Sequence, residues 1–300
     1  MKKKSEYRPI NYLLLEEIVN NKQKRVSTST SKGVLSTLEL FKTFLSQNYA
    51  DYQTQTITSE LCARFSEYLD DVVKQSSKRT YLMRLAALFS EAVEKGLIEV
   101  NPLHRGPKTK LPEYKRNVVY LTKSELQKLL DTECFHTNTK NAFIMCCYTG
   151  LSLGDIESLE WKHIIFDNGQ MMIVKEGIRN KKEIRIPVVS PTKNILLEIK
   201  KEYDALPKEQ QDGRVFHLYS RTILHDDLEK WQNAAGISKK LSFNVARHTF
   251  GTLAVSAGVS LYTLVKWMGL ASFDAAKEYL EVLTGTHQDS DISALEFVLS

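Results

Sequence analysis

Residues Ser242 to Tyr279 read SFNVARHTFGTLAVSAGVSLYTLVKWMGLASFDAAKEY. Arg247 stands early. A small-residue run of helical character follows, then a Gly258-Val259-Ser260 turn, a second helical run ending at Met268-Gly269, and Tyr279 on a third. Tyr279 lies 32 residues after Arg247, enough for two helices and their turns to fold back and bring both side chains to one pocket. That pairing has a chemical use. A phenol is a weak nucleophile at neutral pH unless its proton is taken and its target is electrically neutralised. Arg suits the second task, because its planar guanidinium stays charged and presents a fork of donors. A fixed fork aimed at two non-bridging oxygens stabilises the added negative charge of a phosphoryl-transfer transition state.

The composition frames this reading. The chain has 300 residues, 42% hydrophobic and 26% charged, which suits two globular domains. Lys and Arg exceed Asp and Glu by 41 to 36, compatible with a polyanionic partner without specifying one. The basic start, MKKKSEYRPINYLLLEEIVNN, lacks the apolar region of a secretory signal, since Glu16-Glu17 closes the short run Tyr12–Leu15. No stretch reaches the roughly 20 apolar residues of a membrane helix. Cys62, Cys134, Cys146 and Cys147 form no C-x-x-C pair, which predicts reduced core thiols in a cytosolic protein. Metal-ligand spacing and nucleotide-binding glycine motifs are missing, so no metal and no cofactor are expected.

Taken in order, the chain predicts a mainly α protein with a small β-sheet. Residues 1–30 are polar, carry a short helix over Tyr12–Asn20 and end in the Ser/Thr run Ser27–Ser31, which reads as an N-terminal arm and flexible link. Over residues 31–103 apolar side chains recur at helical spacing: Leu38, Phe41, Phe44 and Leu45, then Leu61, Phe65, Tyr68 and Leu69, then Tyr81, Leu85, Leu88 and Phe89. Gly96 and Asn101-Pro102 close this helical domain. Lys78, Arg79 and Arg84 fall away from its apolar face, as either a solvated surface or phosphate contacts. In the linker, residues 104–118, Arg105, Lys108, Lys110, Lys115 and Arg116 oppose only Glu113, a strip that fits a DNA clamp or an ordinary charged linker equally. Residues 119–300 form the second domain. It opens with a capping box, Thr122 with Glu125. An almost wholly apolar helix follows over Asn141–Tyr148, then strands at Met171–Val174 and Glu183–Val188, and helices over Leu196–Tyr203 and about Ser220–Ala235.

The opening stretch resembles the C-terminal box of the tyrosine recombinase (phage integrase) family, roughly H-x-x-R-H-T-F-A-T, then L-G-H, then a Tyr. Here it reads Asn244-Val245-Ala246-Arg247-His248-Thr249-Phe250-Gly251-Thr252, Met268-Gly269-Leu270 and Tyr279. Upstream, Thr149-Gly150-Leu151-Ser152 with Asp155-Ile156 and Leu159-Glu160-Trp161 is similar to the box around the family's first Arg, with Ser152 in that Arg's place. Some integrases of Bacteroides-type mobile elements also lack it. The helical domain resembles the family's SAM-like core-binding domain, down to the close Gly96-Leu97-Ile98 and Asn101-Pro102-Leu103.

The resemblance implies site-specific DNA recombination without ATP. Tyr279 would attack a DNA phosphodiester to form a 3′-phosphotyrosyl link, and Arg247 would be the second family Arg. Lys181, with Lys182 and Lys175 behind it, would protonate the leaving 5′-oxygen, although counting back from Ile186-Pro187 puts the family Lys at Arg179, whose pKa is too high for that role. Asn244 stands for the first His and can hydrogen-bond a phosphate but carries no proton. Leu270 stands for the second His or Trp and can do neither. Arg179 and Lys140 are the candidates to replace the missing charge, and Asp155 would orient the cations. His248 is expected to be structural and His287 to have no role. The implied partners are double-stranded DNA, a tetramer on paired sites and a DNA-bending accessory protein, in the cytoplasm at the nucleoid. The face of Leu295, Val298 and Leu299 would pack on a neighbouring subunit or on its own domain. The altered positions keep a second reading open, a recombinase-fold protein that binds DNA without cutting it.

Overall fold

The structure is a computed structural model that describes residues 10–23, 28–103, 118–178 and 181–286. Cα packing divides the chain into two units, Met1–Arg116 and Asn117–Ser300.

The first unit holds α1 (Tyr12–Gln23), α2 (Thr28–Asn48), α3 (Ser59–Val72) and α4 (Gln75–Glu94). Its core is aromatic. Phe41 meets Phe65 edge-on at 4.8 Å, and Phe44 lies 5.3 Å from Phe65. The short helix expected over Tyr12–Asn20 is present as α1, and it packs into the core of this unit rather than standing apart as an arm. Tyr12, Leu15, Ile18 and Val19 recur at helical spacing and all are buried in the same core. Thr58 caps α3 by accepting the Leu61 amide. Asn101, read in the sequence as part of a chain breaker, is a buried staple. Its amide donates to the Ala86 carbonyl at 2.9 Å and to Ser90 at 3.0 Å, and its oxygen accepts the Leu103 amide at 3.0 Å.

The second unit holds α5 (Lys123–Asp131), α6 (Thr137–Thr149), α7 (Leu153–Glu157), β1 (Ile164–Asp167), β2 (Gln170–Glu176), β3 (Glu183–Pro187), α8 (Ser190–Asp204), α9 (Arg221–Ala234), α10 (Phe243–Ser256), α11 (Leu261–Met268) and α12 (Asp274–Thr286). The expected capping box opens α5: Glu125 accepts the Thr122 amide at 2.8 Å, and Thr122 accepts the Glu125 amide at 3.2 Å. Helix α6 is the axis of the unit. Phe143 meets Trp231 of α9 at 5.6 Å and Phe243 of α10 at 5.9 Å, and both Cys146 and Cys147 are buried free thiols. Gly150 ends α6 in the left-handed region, at φ 66°. A Cβ there would strike the Phe250 ring and Met268, so glycine is required twice over.

The sheet is antiparallel in the order β1-β2-β3, with Ile173 opposite both Ile164 and Ile186. Strand β1 was not anticipated, because Ile164-Ile165-Phe166-Asp167 shows no alternation of apolar and polar residues. Helix α8 starts earlier than its apolar spacing predicts, with Pro191 in its first turn. Among the described residues no helix is long and apolar enough to cross a membrane.

Candidate active site

Helices α10, α11 and α12 build one corner. Arg247 leaves the middle of α10 and donates through Nη1 to the Gly150 carbonyl at 2.5 Å and through Nη2 to the Met268 carbonyl at 2.7 Å. Both acceptors lie at helix C-termini, where unpaired carbonyls concentrate negative potential and favour a cation. The fork is thereby fixed in orientation. Tyr279 is buried on α12, and its hydroxyl lies 3.2 Å from Nδ1 of His248, the residue after Arg247. The sequence expectation made His248 structural; it is the hydrogen-bond partner of the phenol. Gly251 lies against the face of the Tyr279 ring, where a Cβ would stand 2.5 Å from Cε1. Leu270 packs with Tyr279, Met268 and Leu264 in an apolar cluster, so this position supplies contact rather than a polar group.

Asp155, buried in the first turn of α7, ties that helix to the β2–β3 hairpin. One oxygen accepts the Ser152 hydroxyl at 2.5 Å, and the other accepts the Ile178 amide at 3.0 Å and the Lys175 ammonium at 3.3 Å. Burial opposes the charged carboxylate, but the bonds from Ser152 and Ile178 and the charge of Lys175 outweigh it and hold Asp155 below the ordinary carboxylate value. Burial likewise pushes Lys175 down, partly opposed by Asp155. Ser152 is the N-cap of α7, and its single hydroxyl proton is committed to Asp155.

The hairpin lysines separate. Lys175 is buried on Asp155 and on Ser158, 2.8 Å away. Lys181 occupies the left-handed turn position at φ 55°, exposed, with Glu176 at 3.6 Å. Lys182 reaches the Ala271 carbonyl at 3.4 Å, on the segment that leads into α12. Arg179 lies outside the described residues.

A cavity of about 540 Å³ opens on the other side of Ser152. Asn244 on the first turn of α10 lines it, as do Arg221 and His225, one turn apart on α9. Sequence reasoning missed Arg221 and His225. Their signal was slight: a Ser220 cap followed by Arg and His at i, i+4 spacing. Lys140 does not line this cavity. Its ammonium caps the end of α5 through the Leu130 and Thr132 carbonyls, each at 2.8 Å, which removes it as a replacement for the missing charge.

The basic residues expected on the third predicted helix, α4, are also mixed. Lys78 is buried and paired with Asp70 at 2.6 Å, which corrects its placement on a solvated face. Arg84 lies across Gly33 of α2 and donates to its carbonyl at 3.3 Å, and Arg79 is half-buried. Arg105, Lys108, Lys110, Lys115, Arg116, His287 and the tail with Leu295, Val298 and Leu299 lie outside the described residues. Among the described residues no group of His, Cys, Asp and Glu is gathered to hold a metal ion.

Residues 119–285 match the phage integrase family, and residues 12–111 match the phage integrase SAM-like domain. The tyrosine recombinase XerC of Syntrophus aciditrophicus (strain SB) is 21% identical over 285 residues, covering 87% of this chain and 89% of that protein. The fold is similar to XerH site-specific recombinase in its post-cleavage complex with palindromic difH substrate, at a TM-score of 0.69 and 16% identity over 93% of this chain and 96% of that one. It is also similar to lambda integrase in a tetramer bound to a Holliday junction, at a TM-score of 0.66 and 18% identity over 93% of this chain and 79% of that one. The two family matches together run over most of the sequence, a SAM-like domain ahead of a phage integrase domain, and the chain belongs to the phage integrase family of tyrosine recombinases.

Proposed function

We propose that this chain is a site-specific DNA recombinase of a mobile element, an integrase or invertase, that cuts through Tyr279. The phenolic oxygen attacks a DNA phosphodiester, a 3′-phosphotyrosyl bond forms and the 5′-oxygen leaves. Reversal onto a second strand completes the exchange, with the bond energy retained in the intermediate. The observation that carries this reading is the Tyr279 hydroxyl 3.2 Å from Nδ1 of His248, one residue from the anchored Arg247. His248 accepts the phenol proton when Nδ1 is the unprotonated nitrogen. Arg247 stabilises the charge on the non-bridging oxygens. The proton for the leaving oxygen comes from the hairpin, from Lys181 or from Lys182, which reaches the segment before α12. Asp155 acts through others, by holding the hairpin and Lys175 in place.

Double-stranded DNA is the partner in this reading, gripped by the SAM-like unit with its Arg79 and Arg84, the basic linker and the second unit. The working assembly is a tetramer on paired sites, as in the lambda integrase complex with a Holliday junction. A DNA-bending protein would assist, and the site of action would be the nucleoid in the cytoplasm.

A second reading is favoured by Ser152 and Leu270, one committed to a carboxylate and the other apolar. In it, the chain binds DNA without cutting. Covalent trapping separates the two. The protein is expressed beside DNA from its own locus, denatured rapidly, and DNA ends held by a detergent-resistant link are sequenced. An adduct that disappears in Tyr279→Phe establishes cleavage. Salt-dependent DNA binding with no adduct, even on nicked substrate that prevents religation, establishes the second reading.

A further inference from the structure

We propose that Arg221 is the phosphate-binding cation that replaces the charge absent at Ser152. The inference deepens the recombinase reading and rests on it for the identity of the phosphate.

The need for a replacement is geometric as well as chemical. A serine has one donor, and the Ser152 hydroxyl gives it to Asp155 at 2.5 Å, so this position presents neither charge nor hydrogen to an incoming phosphate. Lys140 and Lys175 are bound to carbonyls and to Asp155 and do not line the cavity. Arg221 does line it, with Ser152 on one side and Asn244 on another. Arg221 is the first residue of α9, and Asn244 sits in the first turn of α10. The positive ends of two 14-residue helices thus contribute to the same cavity and favour an anion there. Leu224 and Leu228 also line the cavity, and apolar lining reduces screening of a charge held there.

The present partner of Arg221 is Glu157, on the last turn of α7, at 2.6 Å. Their side chains are 61% and 36% exposed, so the pair is weak and readily exchanged. A phosphate accepts the same bidentate fork as a carboxylate and carries charge on more than one oxygen. Arg221 therefore has a resting partner beside the cavity and a stronger one when DNA fills it. His225, one turn along the same face, adds a second donor.

The test uses the full chain with Arg221→Ala, Arg221→Lys and the double variant Arg221→Ala/Ser152→Arg. Binding of a duplex of arbitrary sequence is measured against salt concentration, independently of any cleavage. Loss of one phosphate contact lowers the slope of log K on log[salt] by about 0.9. The expected pattern is a lower slope in Arg221→Ala, an unchanged slope in Arg221→Lys, and recovery when Ser152→Arg returns a guanidinium to the family position. On the DNA site recovered by trapping, Arg221→Ala should form the Tyr279 adduct about 100-fold more slowly or worse, and the double variant should regain most of that loss. A slope that does not move in Arg221→Ala, or is not restored by Ser152→Arg, overturns the proposal even if the adduct forms. The expected slope pattern with no adduct in the wild type leaves the phosphate subsite standing and overturns the cleavage reading instead.

Discussion

The two sides of the site are built differently. At the Tyr279 corner every group is interlocked: Arg247 joins the ends of α6 and α11, His248 holds the phenol, and Gly251 makes room for the ring. At the Ser152 cavity the groups stand apart on α7, α9 and α10 around open space, and the expected Arg and His are replaced. The Tyr279 corner also holds one replaced position, Leu270, which packs on the ring without offering a polar group, so the contrast lies in what each side asks of a side chain. A side chain that is both chemical group and structural strut cannot change without disturbing its neighbours. A charge that only has to lie near a phosphate can come from another helix.

The largest test of that contrast is Arg247→Ala. It removes a fixed donor, with an expected loss of about 10² to 10³ in the rate of adduct formation. It also leaves the Gly150 and Met268 carbonyls without this partner, which lowers stability by about 1–3 kcal/mol in urea unfolding. An Arg247→Ala protein with wild-type stability would show that the corner is not the strut described here.

Asp155→Asn comes next. It leaves the buried Lys175 ammonium without its counter-charge, and we expect a loss of about 3–5 kcal/mol. The pH dependence has a definite sign. Because the folded carboxyl is held below its ordinary value of 3.8, its contribution is full above that value and is lost as pH falls through the folded pKa. The stability gap between wild type and Asp155→Asn, followed by denaturation from neutral pH downward, should narrow below about pH 4.

Gly251→Ala has a smaller effect. Helix propensity gains about 1 kcal/mol, but the added methyl meets Tyr279 ring atoms from 2.5 to 2.7 Å away in a packed setting. Overpacking of this kind costs about 1–3 kcal/mol. We expect a net loss in urea unfolding and a more accessible Tyr279, read by the rate at which tetranitromethane nitrates Tyr279 in a peptide map. An unchanged nitration rate would mean that the ring has space to retreat within the core.

Ser152→Ala is the smallest. It removes an N-cap, with about 1 kcal/mol lost in thermal or urea unfolding, and its adduct rate should stay within about threefold of wild type once stability is allowed for. A rate loss like that of Arg247→Ala would erase the distinction between the two sides and restore Ser152 as a donor.

The sequence made some of this legible and not the rest, for physical reasons. The Thr122 capping box and the Gly150 stop are local signals, and both are present in the structure. The helix over Tyr12–Asn20 is legible, but its polar flanks and the Ser/Thr run after it suggest an arm, whereas Tyr12, Leu15, Ile18 and Val19 pack into the core of the unit. Lys140 was a candidate because it lies close to Ser152 in sequence. On a helix, ten residues span about 15 Å, and α6 carries Lys140 to the opposite end. Arg221 and His225 were invisible for the converse reason. They lie far along the chain from Ser152, and only the packing of α9 brings them to its cavity.

The free cysteines give the molecule a built-in clock. Cys62 is buried in the first unit, where desolvation raises its pKa to about 12, while Cys146 and Cys147 are buried in α6 and shifted upward by the same cause. None of the three reacts at an appreciable rate while its surroundings stay shut, since the thiolate is the reactive form. Labelling of Cys62 therefore times the opening of the SAM-like unit. Labelling of Cys146 and Cys147 times the opening of α6, whose C-terminal Gly150 carbonyl accepts the Arg247 guanidinium. A single unmodified chain can thus report, residue by residue in a mass spectrum, whether its two units open together or one before the other.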